Sequence, residues 1–146
     1  WLPGGYPELH AAQLSKNTRF LDALRAHHAA GRPILAECGG MMVLFETLTD
    51  IDGRTHALAG LLPGTTLMQT RLAALGGQAL ALPQGELRGH TFHHSRAETP
   101  LEPALRARTA DGRPGEAVYR TGRLTASYLH AYFPSNPAAV AALLRP

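Results

Sequence analysis

The sequence predicts an α/β fold, in which an open sheet of parallel strands is flanked by helices. One reason is the order of the first elements: a helix-like segment at residues 11–30, a short apolar run at Ile34–Glu37 and a second helix-like segment from residue 39 to about residue 48. Such alternation favours parallel strands. The other reason is composition, since 45% of the 146 residues are hydrophobic and only 17% are charged. That content suits one domain with its own core.

Each helix in the first part of the chain has a start or a stop signal. After the loop Pro3-Gly4-Gly5-Tyr6-Pro7, apolar residues recur at three- and four-residue steps from Leu14 to Leu24, and Gly31-Arg32-Pro33 ends the segment. The apolar run then reads as a strand. Two glycines and a run of large apolar residues follow it, which predicts the second helix.

From residue 50 onwards the chain is predicted to form short strands separated by glycine and proline signals. The strands are expected at residues 58–62, 65–71, 78–82, 86–95, 116–119 and 124–129, with hairpin tips at residues 111–112 and 121–123. A last helix is predicted at Pro137–Leu144, with Ser135 or Asn136 as its N-cap and Pro137 at its first position. No internal repeat is present, so residues 1–146 are interpreted as one domain.

Composition also limits the partners that we expect. The formal net charge is +3, but the arginines are scattered rather than clustered, so we expect no nucleic-acid partner. No apolar run has the length of a membrane span, and a single cysteine cannot form an internal disulfide. We therefore expect a cytoplasmic protein without a membrane partner. Because the opening residues Trp1-Leu2-Pro3-Gly4-Gly5 read as though a strand had just ended, we expect a fragment of a longer polypeptide.

The only cysteine, Cys38, lies at a sharp turn between the predicted strand and the second helix. Gly39 and Gly40 allow the backbone to bend there, and a following helix would direct its N–H groups towards the sulfur. Both effects favour thiolate, so Cys38 is a candidate nucleophile on an elbow. The alternative is that Cys38 is a small buried hydrophobic residue.

A cysteine nucleophile needs a base and an oxyanion site. Among eight histidines we select His130, because it ends a predicted strand, and strand carboxyl ends face the ligand crevice of an open α/β sheet. The N–H groups of the Pro3-Gly4-Gly5 loop and of Gly39 are candidate oxyanion donors. The cluster of His90, His93 and His94 lacks a cysteine or paired carboxylate nearby, so we expect no metal site there. On a strand, His90, Phe92 and His94 would share one face, and Thr91 and His93 the other.

Together these motifs resemble the class I glutamine amidotransferase domain, in the branch found in cobyrinic or hydrogenobyrinic acid a,c-diamide synthases. Four blocks in the same order carry the resemblance: Leu2-Pro-Gly-Gly-Tyr-Pro-Glu8, Ala36-Glu-Cys-Gly-Gly-Met-Met42, Gly89-His-Thr-Phe-His-His-Ser95 and Ala126-Ser-Tyr-Leu-His-Ala-Tyr-Phe-Pro-Ser-Asn-Pro137. The resemblance implies that Cys38 attacks the side-chain amide of glutamine and that His130 transfers the proton. It also implies that Gly5 and Gly39 hold the oxyanion through their N–H groups.

The resemblance further implies that ammonia passes to an ATP- and Mg-dependent domain, which amidates the a and c carboxylates of a corrinoid acid in cobalamin biosynthesis. No Gly-x-x-x-x-Gly-Lys-Ser/Thr loop occurs in this sequence, so we expect this chain to hold only the glutaminase part, without cofactors of its own and without the family's first strands. We expect little activity from these residues alone. A homodimer is compatible with this interpretation.

Two alternatives remain open at this stage. The chain resembles amidotransferases of the same branch that act on another acid, such as cobyric acid synthase. It is also compatible with a non-catalytic binding module on the same fold, because Tyr132 stands where many class I amidotransferases place a glutamate two residues after the histidine. The third catalytic residue is therefore left unassigned.

Overall fold

The computed structural model describes residues 1–145. The helices are α1 (Ala11–Leu14), α2 (Thr18–Ala29), α3 (Gly39–Met42) and α4 (Pro137–Leu144), with 3₁₀ turns at Pro7–His10 and Phe133–Ser135. The strands are β1 (Ile34–Glu37), β2 (Phe45–Thr49), β3 (Thr55–Ala57), β4 (Leu62–Met68), β5 (Ala74–Leu82), β6 (Gly85–His93), β7 (Ser95–Glu98), β8 (Leu105–Thr109), β9 (Pro114–Thr121), β10 (Leu124–Ser127) and β11 (His130–Ala131). This arrangement confirms the α/β class.

The strands form two sheets. The larger has the order β1-β10-β9-β8-β5-β6-β11, and the smaller has the order β3-β2-β4-β7. The expectation of a parallel sheet is wrong, because the named strands pair in parallel only between β1 and β10 and between β2 and β4. Two-residue connections join β5 to β6 and β9 to β10, and connections this short can join only antiparallel neighbours.

The larger sheet nearly closes on itself. Only Tyr128 and Leu129 separate β10 from β11, yet β10 pairs with β1 at one end of the strand order and β11 pairs with β6 at the other. The backbone N–H of Ala131 also donates to the Glu37 carboxylate at the end of β1, at 2.9 Å. This curvature brings the ends of β1, β6 and β10 together.

The second predicted helix is wrong beyond its first turn. α3 has four residues, and Phe45–Thr49 is strand β2. Phe45 and Leu48 are fully buried, and their three-residue spacing is that of one helix face, whereas a strand places them on opposite faces. The β-branched Thr47 and Thr49 favour a strand, and pairing with both β3 and β4 decides the outcome.

The first predicted helix is interrupted. α1 and α2 are separated at residues 15–17, where the Asn17 side chain accepts a hydrogen bond from the Phe20 N–H at 3.2 Å and so caps α2. Asparagine favours helix caps over helix interiors because its side chain competes for backbone groups. The last helix is confirmed at Pro137–Leu144, and Asn136 is its N-cap, with its side chain accepting from the Ala139 N–H at 3.0 Å.

The later strands agree with the expectations in part. Both hairpin tips join consecutive strands, but residues 58–62 do not form the predicted strand, because the N–H groups of Leu58 and Leu61 donate to the Glu46 and Leu44 carbonyls outside the ladders. The segment predicted as one strand at residues 86–95 is divided between β6 and β7. Strand β8 was not expected.

The fully buried side chains of the main core include Met41, Leu44, Phe45, Leu62 and Leu124. Within residues 1–145, no helix has the length and apolar character needed to cross a bilayer.

Candidate active site

Cys38 stands on a strained turn between β1 and α3. Its backbone has φ 47° and ψ −113°, and within residues 1–145 it is the only residue other than glycine with a positive φ. Its N–H donates to the Ser127 carbonyl at the end of β10, at 2.8 Å. Strain of this kind costs of order 1–3 kcal/mol and persists only where the surroundings enforce it. This is the conformation of a nucleophile elbow, as the sequence predicted.

The thiol of Cys38 is not pre-ionised, which corrects the expectation of a thiolate. Only 7% of Cys38 is exposed, and this burial raises the pKa of the thiol to about 11. A hydrogen bond from the Gly39 N–H lowers the pKa in part, while the charge of Glu8 raises it further. Because α3 has only four residues, its dipole is too small to overcome desolvation.

The Pro3-Gly4-Gly5 loop packs directly against the elbow. Leu2 is held between the Leu35 carbonyl, which accepts from its N–H at 2.8 Å, and the Glu37 N–H, which donates to its carbonyl at 3.0 Å. A Cβ on Gly39 would overlap the Gly5 carbonyl, so the two backbones touch where only glycine fits. No backbone carbonyl within residues 1–145 accepts from the Gly5 N–H, which leaves it free to bind an anion.

His130 lies at the start of β11, on the other side of the same loop. Its ring packs against Gly4 so closely that a Cβ there would overlap the imidazole. It also stacks on the ring of His90, its pairing partner on β6, with centroids 4.9 Å apart and an 11° angle between the planes. Burial, and then the neighbouring charge of His90, lower the pKa of His130. The resting imidazole is therefore neutral at pH 7 and able to accept a proton.

The Pro3-Gly4-Gly5 loop lies close to both candidates, because Gly39 beside Cys38 contacts Gly5 and the His130 ring contacts Gly4. The Cys38 Sγ contacts the Phe92 carbonyl at 3.9 Å, and no hydrogen bond joins it to the imidazole within residues 1–145. The ends of β1 and β10 lie side by side, because the register pairs Glu37 with Ser127. The strand predicted at residues 124–129 ends at Ser127, however, and His130 begins β11 instead of ending β10. Catalytic hydrogen bonds are often formed only when substrate is bound.

Glu37 fixes the backbone beside His130. One carboxylate oxygen accepts from the Ala131 N–H at 2.9 Å, and the other accepts from the Trp1 indole N–H at 3.0 Å. Trp1 in turn packs on Phe133, with ring centroids 5.2 Å apart. Burial raises the pKa of Glu37. This carboxylate therefore ties the strand before the nucleophile to the strand that carries the base.

His93, Glu116 and Thr91 form a polar group in which His93 and Thr91 are buried and Glu116 is partly buried. The His93 Nδ1 is 2.7 Å from the Ser95 carbonyl, and its Nε2 is 2.9 Å from a Glu116 carboxylate oxygen that also accepts from the Thr91 hydroxyl at 2.8 Å. Burial alone would raise the pKa of Glu116, but these hydrogen bonds lower it. The His93 ring stacks on Tyr128, with centroids 3.8 Å apart, so the group supports the strand that leads to His130.

The histidine cluster follows the predicted alternation on β6. Thr91 and His93 are buried and His90 and Phe92 are exposed, whereas His94 lies beyond the end of β6 and is partly buried. Within residues 1–145, no three histidine, cysteine, aspartate or glutamate side chains are grouped so that they could hold a metal ion.

Cys38 opens into a narrow cavity of about 50 Å³. Its lining combines the nucleophile, a glycine of the loop, apolar and polar side chains and one carboxylate: Gly5, Tyr6, Glu8, Cys38, Met42, Met68, Phe92, His93, His94 and Ser95. A neighbouring cleft of about 480 Å³ lies behind the Gly5–Gly39 contact and is lined mainly by apolar residues of the loop, α1 and α3. The smaller cavity is the candidate substrate site because it contains the sulfur.

Sequence reasoning assigned no role to three carboxylates near the nucleophile. Glu8 and Glu37 stand in the quoted motifs, and the position of Glu37 directly before Cys38 was a usable signal. Glu116 gave no signal, because only the strand arrangement brings it to His93. All three charges raise the pKa of Cys38.

Comparison with known proteins identifies the family of this chain. The family model described as the CobB/CobQ-like glutamine amidotransferase domain matches residues 1–138. The hydrogenobyrinate a,c-diamide synthases of Stutzerimonas stutzeri and Pseudomonas aeruginosa are 59% and 57% identical to this chain over 147 aligned residues, and the cobyrinate a,c-diamide synthase of Herminiimonas arsenicoxydans is 53% identical. Each alignment covers 100% of this chain and 34% of the relative, so the chain spans about a third of their length. The chain belongs to the CobB/CobQ-like glutamine amidotransferase family.

Proposed function

We propose that this chain is the glutaminase domain of a longer ATP-dependent a,c-diamide synthase, and that it supplies ammonia for amidation of the a and c carboxylates of hydrogenobyrinic or cobyrinic acid. The observation that carries the proposal is the strained Cys38 elbow, which opens into a cavity beside the unpaired Gly5 N–H. The names of the relatives support the corrinoid acid as the final acceptor. A single free cysteine suits the reducing cytoplasm.

ATP and Mg belong to a part of the protein outside this chain. The sequence has no Gly-x-x-x-x-Gly-Lys-Ser/Thr loop, and the described residues group no set of side chains for a metal ion. We therefore assign to this chain only the release of ammonia. Activation of the corrinoid carboxylate takes place elsewhere.

The first step is attack on the glutamine side-chain amide. The thiol of Cys38 transfers its proton to the neutral imidazole of His130 as the sulfur bonds to the amide carbon. The amide oxygen takes up negative charge, and the N–H groups of Gly5 and Gly39 are the donors placed to stabilise it. Because the resting thiol has a pKa of about 11, proton transfer must accompany attack.

The second step releases ammonia. The imidazolium of His130 returns the proton to the leaving amine, the carbon–nitrogen bond breaks, and a γ-glutamyl thioester remains on Cys38. Water then attacks the thioester with His130 again as base, which yields glutamate and the free thiol. The fixed backbone beside His130, held by Glu37, keeps the base in place through both steps.

Covalent labelling tests this proposal directly. In the full-length protein, the glutamine analogue 6-diazo-5-oxonorleucine is expected to label Cys38 at neutral pH and to abolish glutamine-dependent amidation of hydrogenobyrinate or cobyrinate. Mass spectrometry of the labelled peptide and an ammonia assay measure the two outcomes. A non-catalytic module would leave Cys38 unlabelled, since a buried thiol without a base does not react, and that result would refute the proposal.

The contact between Gly4 and the His130 ring gives a second prediction. Gly4→Ala places a methyl group where the imidazole lies, so the ring must move, and a displacement of this size costs about 10²-fold in kcat. Glutamine hydrolysis by the full-length protein measures the change.

A double-mutant cycle identifies the cause of that loss. In a His130→Ala background the obstructing ring is absent, so Gly4→Ala is expected to have little further effect on kcat. An equal loss in both backgrounds would show that Gly4→Ala damages the loop in another way, and the assigned contact would then be irrelevant to catalysis.

A further inference from the structure

The cavity that contains Cys38 is also lined by a carboxylate that forms no ion pair with the described residues. Glu8 belongs to the 3₁₀ turn Pro7–His10 and lines the cavity together with the nucleophile. Within residues 1–145 it forms no ion pair. Burial raises the pKa of Glu8, and its own backbone N–H and the nearby His10 and His94 only partly offset this. Partial burial of a charged carboxylate without an ion pair costs free energy.

The charge of Glu8 also opposes ionisation of the Cys38 thiol. Of the three neighbouring carboxylates that raise the pKa of the Cys38 thiol, Glu8 has the largest influence. The other two have structural partners, since Glu37 accepts from Ala131 and Trp1, and Glu116 accepts from His93 and Thr91. A bound cation next to Glu8 would offset the cost of desolvating the carboxylate and would neutralise the charge that repels the developing Cys38 thiolate.

We propose that Glu8 binds the α-ammonium group of the substrate glutamine and so selects an α-amino acid amide over a simple amide. The proposal rests on the glutaminase function proposed above. The cavity is also lined by Met42, Met68 and Phe92, which offer apolar contacts to the methylene groups, and by Glu8, which is the carboxylate available to the ammonium group. The ammonium then neutralises the carboxylate that opposes ionisation of the thiol. Substrate binding thereby favours attack.

The assignment is tested by removing first the Glu8 carboxylate from the protein and then the α-amino group from the substrate. Glu8→Gln in the full-length protein is expected to lower kcat/KM for glutamine by about 10–100-fold, mainly through KM, because a hydrogen bond to a charged group is lost. With glutaramic acid, which is glutamine without its α-amino group, Glu8→Gln is expected to cause no loss of kcat/KM, because no ammonium is lost and the charge that raises the thiol pKa is gone. Glu102→Gln removes an equal charge from an exposed position and should change neither substrate's kinetics.

If Glu8→Gln lowered kcat/KM equally for glutamine and glutaramic acid, the assignment of Glu8 would be overturned. Unchanged kcat/KM with both substrates would also overturn it. Alkylation of Cys38 by iodoacetamide reports whether the nucleophile survives the substitution. It should be as fast as in wild type or faster, because the charge that raises the thiol pKa is gone.

Calorimetry separates this proposal from the function on which it rests. A Cys38→Ala protein is expected to bind glutamine, and the added Glu8→Gln change should weaken binding by about the same 10–100-fold. If the protein hydrolyses glutamine but the Glu8→Gln change does not weaken glutamine binding, only the role of Glu8 is overturned. A protein that neither hydrolyses nor binds glutamine overturns the proposed function and the role of Glu8 together.

Discussion

Cys38→Ala is expected to abolish glutamine-supported amidation by the full-length protein while sparing amidation supported by added ammonia. The loss in glutaminase kcat should be at least about 10⁴-fold, because no other group in the cavity can form the thioester. Ammonia reaches the second reaction without this step, so that rate should remain. Parallel assays with glutamine and with ammonium chloride measure both rates.

The ammonia-supported rate is the internal control for folding. Loss of both activities would mean that the variant disrupts the whole protein, and retention of both would mean that another residue is the nucleophile. Either result would contradict the role assigned to Cys38.

His130→Ala is expected to lower glutaminase kcat/KM by about 10²–10⁴-fold and to change its dependence on pH. The pKa of His130 lies below its ordinary value of 6.5, so the wild-type base is neutral above that pH and loses function only as the pH falls through its lowered pKa. Without the imidazole, the thiol with a pKa of about 11 must ionise alone. The residual rate should then rise about tenfold for each pH unit between about pH 7 and pH 10.

The pH profile distinguishes a base from a structural histidine. A His130→Ala protein with reduced activity but the flat wild-type profile above neutral pH would contradict the proton-transfer role. His90→Ala is a useful comparison, since it removes the stacked ring but leaves the proposed base. It should keep the wild-type form of the profile, with the acidic limb moved to higher pH because the charge that lowers the His130 pKa is gone.

Local patterns predicted the parts of the fold that local interactions determine. Strand β1, the elbow after it and the Asn136 cap of α4 follow from a short apolar run, two glycines and an Asn-Pro pair. The helix predicted beyond Met42 is wrong because Phe45 and Leu48 have helical spacing, while pairing of this segment with β3 and β4 makes it a strand. Strand β8 alternates apolar and arginine residues, which was a usable signal that the interpretation overlooked.

Long-range chemistry was much harder to predict from the sequence. The motifs identified Cys38 and His130 as candidates, but the desolvation that keeps the thiol protonated depends on packing from several elements. The pairing of Glu116 with His93 depends on where β9 lies relative to β6, and no local pattern encodes that arrangement. Glu8 was visible in its motif, yet its isolation within the cavity was not.

The hydrogen bond from the Cys38 N–H to the Ser127 carbonyl has a consequence for folding. Strand β1 is held in register by β10, with Ile34 opposite Leu124, so a long loop must close before the elbow acquires its strained backbone. During synthesis the segment around residue 38 emerges well before its partner. The strained backbone of Cys38, and with it the proposed glutaminase site, is therefore expected to form only when β10 docks against β1.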